Sequence, residues 1–376
     1  MLAGGRLART EPVAMHLDDM RRQLGALGAR PHHVERVLRR WVQGLPQDSR
    51  HQHIANFLSP AVRRELPGRL AAWSGLARLL EQHPGADGSA RLLVGLHDGR
   101  TVESVLLPGN ALCVSTQVGC AVGCVFCMTG KEGLLRQLGS AEIVAQVVLA
   151  RTLRPVRKIV FMGMGEPAHN LDAVLEAIQF LGTEGQIGHK NLVFSTVGDR
   201  QAFERLGRGP VRPALALSLH SSIAERRARL LPRAPRIAPA ELVELAADYA
   251  RRTKYPLQVQ WTLIEGVNDD PDDLEGVAGL LQGRYAVLNL IPCNPVAGLP
   301  FRRPDARRMD EIVRFLHQRG VLTKLRQSAG QDVAAGCGQL RSRPAASADE
   351  VGGAVIAMPP RAPVTRAHPA PGAVNS

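Results

Sequence analysis

From residue 111 onward the chain repeats one kind of unit, a short apolar run rich in β-branched residues followed by an amphipathic stretch. The runs fall at 157–162, 191–197, 213–219, 257–264, 285–291 and 321–325. The stretches between them, such as 141–151, 171–181, 239–252 and 305–320, carry apolar residues at helical spacing. Strand-then-helix alternation requires parallel strands joined by crossover helices, which leaves an α/β barrel or an open doubly wound sheet. The chain has 376 residues, enough for two or three domains. With 45% hydrophobic and 22% charged residues it is not disordered as a whole. No run approaches the roughly 18 apolar residues that span a bilayer, and the start, MLAGGRLART, has no apolar signal core. A cytoplasmic protein without membrane partners is expected.

Before the repeating region the pattern differs. Residues 1–17 show no periodicity and read as a flexible arm. Over 18–88 helical spacing dominates, as in Val34, Val37, Leu38, Trp41 and Val42, then Ile54, Phe57, Leu58 and Val62. Residues 1–82 hold 13 arginines against 7 acids, so this segment reads as a basic helical accessory domain. Residues 89–110 contain two alternating runs around His97-Asp98-Gly99, an Asp-Gly hairpin signal. The α/β region follows at 111–342. The stretch 343–376 is dominated by Pro, Ala, Gly and Ser, and reads as a disordered tail. The formal net charge of +13 favours an anionic partner such as nucleic acid. Only 5 of the 47 basic residues are lysine, a skew that codon composition can produce, so charge alone does not decide the partner.

The six cysteines are too few for a disulfide scaffold, and their distribution is uneven. Cys113, Cys120, Cys124 and Cys127 lie close together, whereas Cys293 and Cys337 stand apart. GCAVGCVFCMTG contains Cys-x3-Cys-x2-Cys. Three thiolates from one loop suit a soft metal centre. An iron–sulfur cube normally takes four cysteines, so three leave one iron open to a small molecule. A structural zinc site is the competing reading, with Cys113 as a fourth ligand, since no histidine falls near the triplet.

The triplet, with Phe126 just before its third cysteine, resembles the signature loop of radical S-adenosylmethionine enzymes. FMGMGEP (161–167), ALSLH (216–220), GVND (266–269), NLIPCNP (289–295) and AGCGQL (335–340) narrow the likeness. So do RRWVQG and IANFLSPAVRREL in the helical segment. Together they resemble the RlmN/Cfr family of radical S-adenosylmethionine RNA (adenine) methyltransferases, over residues 20–342. The resemblance implies a partial (β/α) radical-SAM barrel with a small N-terminal helical domain and a β-hairpin extension. It also implies one [4Fe-4S] cluster on Cys120, Cys124 and Cys127, and two S-adenosylmethionine molecules per turnover.

An adenine ring carbon is electrophilic and has no acidic proton, which makes displacement from a sulfonium a poor route and a carbon radical a sensible one. By the same resemblance, Cys337 accepts the first methyl group. A radical made from the second S-adenosylmethionine then activates that S-methyl for addition to the base, Glu103 accepts the adduct's proton, and Cys113 releases the product by pairing with Cys337. S-adenosylmethionine would be held by Gly165, Glu166, Ser195, Ser218, Leu219, His220 and Asn294. The implied product is adenosine methylated at carbon 2 in 23S rRNA, or in tRNA. Methylation at carbon 8 is the alternative within the family, and a non-catalytic zinc-containing RNA-binding protein is the alternative outside it. A cytoplasmic reductant and a monomeric state are also expected.

Taken singly, these residues have plainer readings. Glu103 in TVESVLL is a solvent-facing strand carboxylate, Cys113 and Cys337 are small buried hydrophobes, and the strand-end residues are ordinary loop polars. The chain also departs from the family pattern. Cys293 stands where Trp is common, and RQSAGQDVAAGCGQL is looser than usual before Cys337, which leaves the RNA target open.

Overall fold

A computed structural model describes residues 14–49 and 53–342. The tail at 343–376 lies outside the described residues, as does the expected arm apart from 14–17, where Leu17 already begins a helix.

Three helices come first: α1 (Leu17–Ala26), α2 (Pro31–Val42) and α3 (Pro60–Ser74). Pro31 and Pro60 stand at the first helical position, where a missing N–H costs nothing, and the Ser59 side chain caps α3 by accepting from the Val62 N–H. The apolar stripe of α2 turns inward, and Trp41 meets Trp73 of α3 edge-on at 5.9 Å between ring centres. Trp73 is 1% exposed, yet its indole N–H has no hydrogen-bond partner. An indole burying roughly 150–250 Å² at about 25 cal/mol per Å² contributes about 4–6 kcal/mol, which exceeds the roughly 1–3 kcal/mol of one unmet donor. Packing therefore wins. These helices share one continuous apolar core with the hairpin and the α/β region. Arg151 ties the two regions together, donating to the Val42 and Gly185 carbonyls at 2.6 and 2.9 Å.

The segment after α3 differs from the helical expectation. Residues Arg78–Pro84 form strand β1, antiparallel to β2 (Ala90–Gly95), which pairs with β3 (Thr101–Leu107) across the Asp98-Gly99 turn. The pattern in RLLEQHP is hidden because β1 is an edge strand with most residues exposed, so no inward alternation marks it.

The α/β region proceeds through β4 (Ala111–Cys113), a small hairpin of β5 (Gln117–Gly119) and β6 (Leu134–Gln137), α4 (Ser140–Leu153) and β7 (Lys158–Phe161). It continues with α5 (Leu171–Thr183), β8 (Leu192–Thr196), α6 (Arg200–Arg208), β9 (Ala214–Ser218), α7 (Ala224–Leu230) and α8 (Pro239–Thr253). It ends with β10 (Leu257–Leu263), α9 (Pro271–Leu281), β11 (Ala286–Pro292), α10 (Ala306–Gln318) and β12 (Thr323–Leu325). Asp199, Asp270 and Asp305 cap α6, α9 and α10 with their carboxylates. Strands β4, β7, β8, β9, β10, β11 and β12 run parallel in that order, and β1–β2–β3 extend the β4 edge. β4 and β12 are not paired with each other, so the barrel is partial. The segment after β12 returns to the hairpin, where Arg91 donates to the Val333 carbonyl at 2.7 Å. Among the described residues no helix is long and apolar enough to cross a membrane.

Candidate active site

In a parallel barrel the carboxyl ends of the strands gather the reactive side chains. Here they surround a cavity lined by Cys120, Cys124, Cys127, Gly165, Glu166, Ser195, Ser218, His220 and Cys337. Nine of the thirteen residues singled out from the sequence thus converge.

The loop between β5 and β6 carries the triplet and is pinned at both ends. Cys120 N–H donates to the Gly133 carbonyl (2.9 Å), Val125 N–H to Leu230 (3.1 Å) and Met128 N–H to Gly338 (2.8 Å). Val122, Phe126, Leu230 and Ile264 form an apolar shell around the thiols. Desolvation pushes all three up, Cys120 to about 12, and Cys120 and Cys124 are raised further by the neighbouring sulfurs and Glu166. Such thiols lose their protons when a cationic centre takes the protons' place. Among the described residues no three donors converge tightly enough to hold one metal ion. In a cube each thiolate binds a different iron, so three cysteines from one loop leave the fourth iron open. The donor set and its shell therefore fit an iron–sulfur cluster.

Glycine is required at Gly165: its φ is +102°, and a Cβ there would lie 2.6 Å from the Gln117 side chain. Gln117 in turn accepts from the Glu166 N–H at 2.7 Å. The Glu166 carboxylate accepts from the Ala168 and Val197 N–H groups at 3.1 and 3.0 Å, which couples the loop after β7 to the end of β8 beside Ser195. Burial raises its pKa above the usual carboxylate range.

His220 sits just beyond β9 with a left-handed backbone, φ +61°. Its Nδ1 accepts from the Thr262 N–H at 2.9 Å, so the ring hydrogen belongs on Nε2. Burial lowers its pKa to about 3, helped by Arg227, so the ring is neutral at physiological pH. Phe126 packs against it edge-on at 5.0 Å. Asn268 holds this corner: its amide donates to the His220 and Thr262 carbonyls (2.7 and 2.8 Å) and accepts from Ile264 N–H (2.8 Å).

A second cavity shares Cys127, Thr129, Met162, Gly163, Cys337 and Gly338 with the first and adds Cys113 and Ser328. Cys337 stands where the two meet. It is exposed to them, though surrounding protein still raises its pKa. Gly338, at φ +83°, lets the chain pass against the Phe126 carbonyl. Cys113, at the end of β4, is buried and raised strongly by desolvation, then by the charge of Cys337. All six cysteines are free thiols.

Three of the expected site residues line neither cavity. Leu219 is a fully buried core side chain whose N–H is spent on the Gln260 carbonyl at 3.0 Å, and it lines neither cavity. Asn294 also lines neither; its amide donates to Ser328 Oγ (2.9 Å) and the Cys337 carbonyl (3.0 Å), so it holds the Cys337 loop. Glu103 is not solvent-facing but fully buried. The β2–β3 register puts it diagonal to Arg91, with which it forms an ion pair, and it accepts from the Arg341 N–H at 2.9 Å. It lines neither cavity. Cys293 is buried in the apolar shell of the triplet, its thiol 3.6 Å from the Asn294 carbonyl.

Gln260 and Thr262 line the first cavity and were not singled out from the sequence. A signal was present. In LQVQWTL the polar Gln258, Gln260 and Thr262 alternate with Val259, Trp261 and Leu263, which marks a strand with one face on a polar interior.

Comparison with known proteins gives a consistent picture. Residues 114–277 match the radical SAM superfamily. The chain is 67% identical to a probable RNA methyltransferase of Azoarcus over 329 residues, covering 88% of this chain and 95% of that one. A probable RNA methyltransferase of Leptothrix cholodnii is 66% identical over the same shares. The crystal structure of a radical SAM methyltransferase from Sphaerobacter thermophilus superposes with a TM-score of 0.77 at 34% identity, covering 88% of this chain and 99% of that one. With its cysteine loop, its strand-end cavity and relatives matched over nearly their whole length, the chain belongs to the RlmN/Cfr family of radical S-adenosylmethionine RNA methyltransferases.

Proposed function

We propose that this protein methylates carbon 2 of an adenosine in 23S rRNA, with tRNA as a second candidate substrate, through an S-methyl group carried by Cys337. The observation that carries the reading is the position of Cys337 at the junction of two cavities, one bounded by the cysteine triplet and the strand ends, the other by Cys113. Family relatives described as probable RNA methyltransferases support RNA as the substrate.

The Cys337 thiolate attacks the methyl carbon of a first S-adenosylmethionine, and S-adenosylhomocysteine leaves with the carbon–sulfur electron pair. Cys120, Cys124 and Cys127 would hold the [4Fe-4S] cluster, which supplies the electron that cleaves a second S-adenosylmethionine. Gly165, Glu166, Ser195, Ser218 and His220 line the space for that molecule, and His220 offers it a neutral Nε2–H donor. A hydrogen atom passes from the S-methyl of Cys337 to the 5′-deoxyadenosyl fragment, the methylene radical adds to the adenine carbon, and the adduct loses a proton together with one electron, which the oxidised cluster would take back. Cys113 attacks the Cys337 sulfur, a disulfide forms, and the carbon–sulfur electron pair leaves with the product, whose methylene carbon takes up a proton to become the methyl group. A cytoplasmic reductant restores both thiols. Glu103 is the proposed proton acceptor, a role that requires the segment carrying Arg341 to move away, since Glu103 is now engaged with Arg91 and the Arg341 amide.

The test is direct. Protein isolated from cells carries one extra methylene mass on Cys337, and RNA from cells lacking the gene loses one 2-methyladenosine. A methylene on another cysteine, or a missing 8-methyladenosine instead, refutes the respective half of the reading.

A further inference from the structure

We propose that Arg227 is a positioning residue whose fixed positive charge, held behind the cysteine loop, sets the reduction potential of the cluster. The inference rests on reading Cys120, Cys124 and Cys127 as its ligands.

Arg227 lies on α7 and is 3% exposed. Its Nη2 donates to the Val197 carbonyl and to the Ser218 carbonyl (3.3 Å), at the carboxyl ends of β8 and β9. These acceptors are neutral, and Nε is buried without a hydrogen-bond partner. The end of α7 is bonded to the triplet loop through Val125 N–H and the Leu230 carbonyl, and Leu230 and Leu231 pack among the same apolar residues as the three cysteines. The negative groups that act on the guanidinium are Cys124 and Glu166. Burial lowers its pKa to about 10, which still leaves it charged at neutral pH.

A buried cation bonded only to neutral carbonyls is expensive unless negative charge arises nearby. Cys124, as a thiolate, supplies some of that charge. Reducing a thiolate-held cluster adds one more negative charge, which a neighbouring cation in a low-dielectric shell favours. Arg227 therefore raises the potential and makes the cluster easier to reduce. The two carbonyl bonds keep the charge in place.

The test compares Arg227→Gln, which keeps hydrogen-bonding capacity but loses the charge, with Arg227→Lys, which keeps the charge. Full-length proteins are reconstituted without oxygen, assayed for iron, and titrated potentiometrically by electron paramagnetic resonance. Arg227→Gln should move the midpoint negative by a tenfold loss in the reduction equilibrium, about 59 mV for one electron. Arg227→Lys should stay within a third of that shift. An unchanged midpoint in Arg227→Gln, or equal shifts in both variants, overturns the proposal. Loss of iron from Arg227→Gln alone reports the same need for charge and supports it, whereas loss from both marks a purely structural residue and overturns it. A wild type that never takes up iron refutes the ligand reading itself, and the proposal falls with it.

Discussion

Asn268 offers the sharpest test of how this site is held together. It is fully buried, and its one amide satisfies three backbone groups: the His220 and Thr262 carbonyls and the Ile264 N–H. Asn268→Ala leaves all three without partners in a region closed to water. Each stranded group costs roughly 1–3 kcal/mol. Partial relaxation brings the sum to about 4 kcal/mol, or a factor of about 10³ in the folding equilibrium. At this chain length the melting temperature should fall by about 8 °C, taking about 2 °C per kcal/mol. Asn268→Asp should be worse, because it keeps the acceptor for Ile264 but aims a carboxylate at two carbonyls. The assay is equilibrium urea unfolding of the metal-free protein at pH 7, followed by far-ultraviolet circular dichroism, with the slope checked for two-state behaviour. A loss below about 1 kcal/mol in Asn268→Ala, or an Asp variant more stable than the Ala variant, would refute the reasoning.

Three further outcomes follow from the same geometry. Cys113→Ala should leave Cys337 joined to the RNA, seen as a nuclease-trimmed adduct by mass spectrometry; free product at the normal rate would remove Cys113 from the release step. His220 has a folded pKa of about 3, below its unfolded value, so its neutral form stabilises the fold above the unfolded pKa. That contribution falls as pH drops from about 6.5 towards 3, at about 1.4 kcal/mol per pH unit. Between pH 7 and 5 the wild type should therefore lose about 2 kcal/mol more than His220→Gln, and equal losses would contradict a buried neutral ring. Gly165→Ala should weaken S-adenosylmethionine binding at least about tenfold in calorimetry, because the strained φ and the clash with Gln117 cost roughly 1–3 kcal/mol; unaltered affinity would mean that the loop is adaptable.

How much was legible in the residues depended on range. The strands from β7 to β12 could be read as short apolar runs set off by amphipathic helices, most clearly KIVF and ALALS, which are buried on both faces. β1 could not, since an edge strand at the surface carries no inward alternation. The triplet was legible because its three thiols come from one loop. Cys337 could be tied to it only by resemblance, as more than two hundred residues separate Cys127 from Cys337.

Local pattern and motif spacing specify the alternating α/β architecture, the soft three-thiol donor set and the family, because periodicity and short loops are properties of neighbouring residues. Glu103 shows where that ends. Its buried partner Arg91 and the Arg341 amide reach it from another strand and from the far end of the chain. Asn294 supports the Cys337 loop instead of lining the cavity, and Arg227 braces the ends of β8 and β9, for the same reason. Which side chain faces a ligand and which braces another residue is decided by long-range packing and by the need to satisfy each buried polar group.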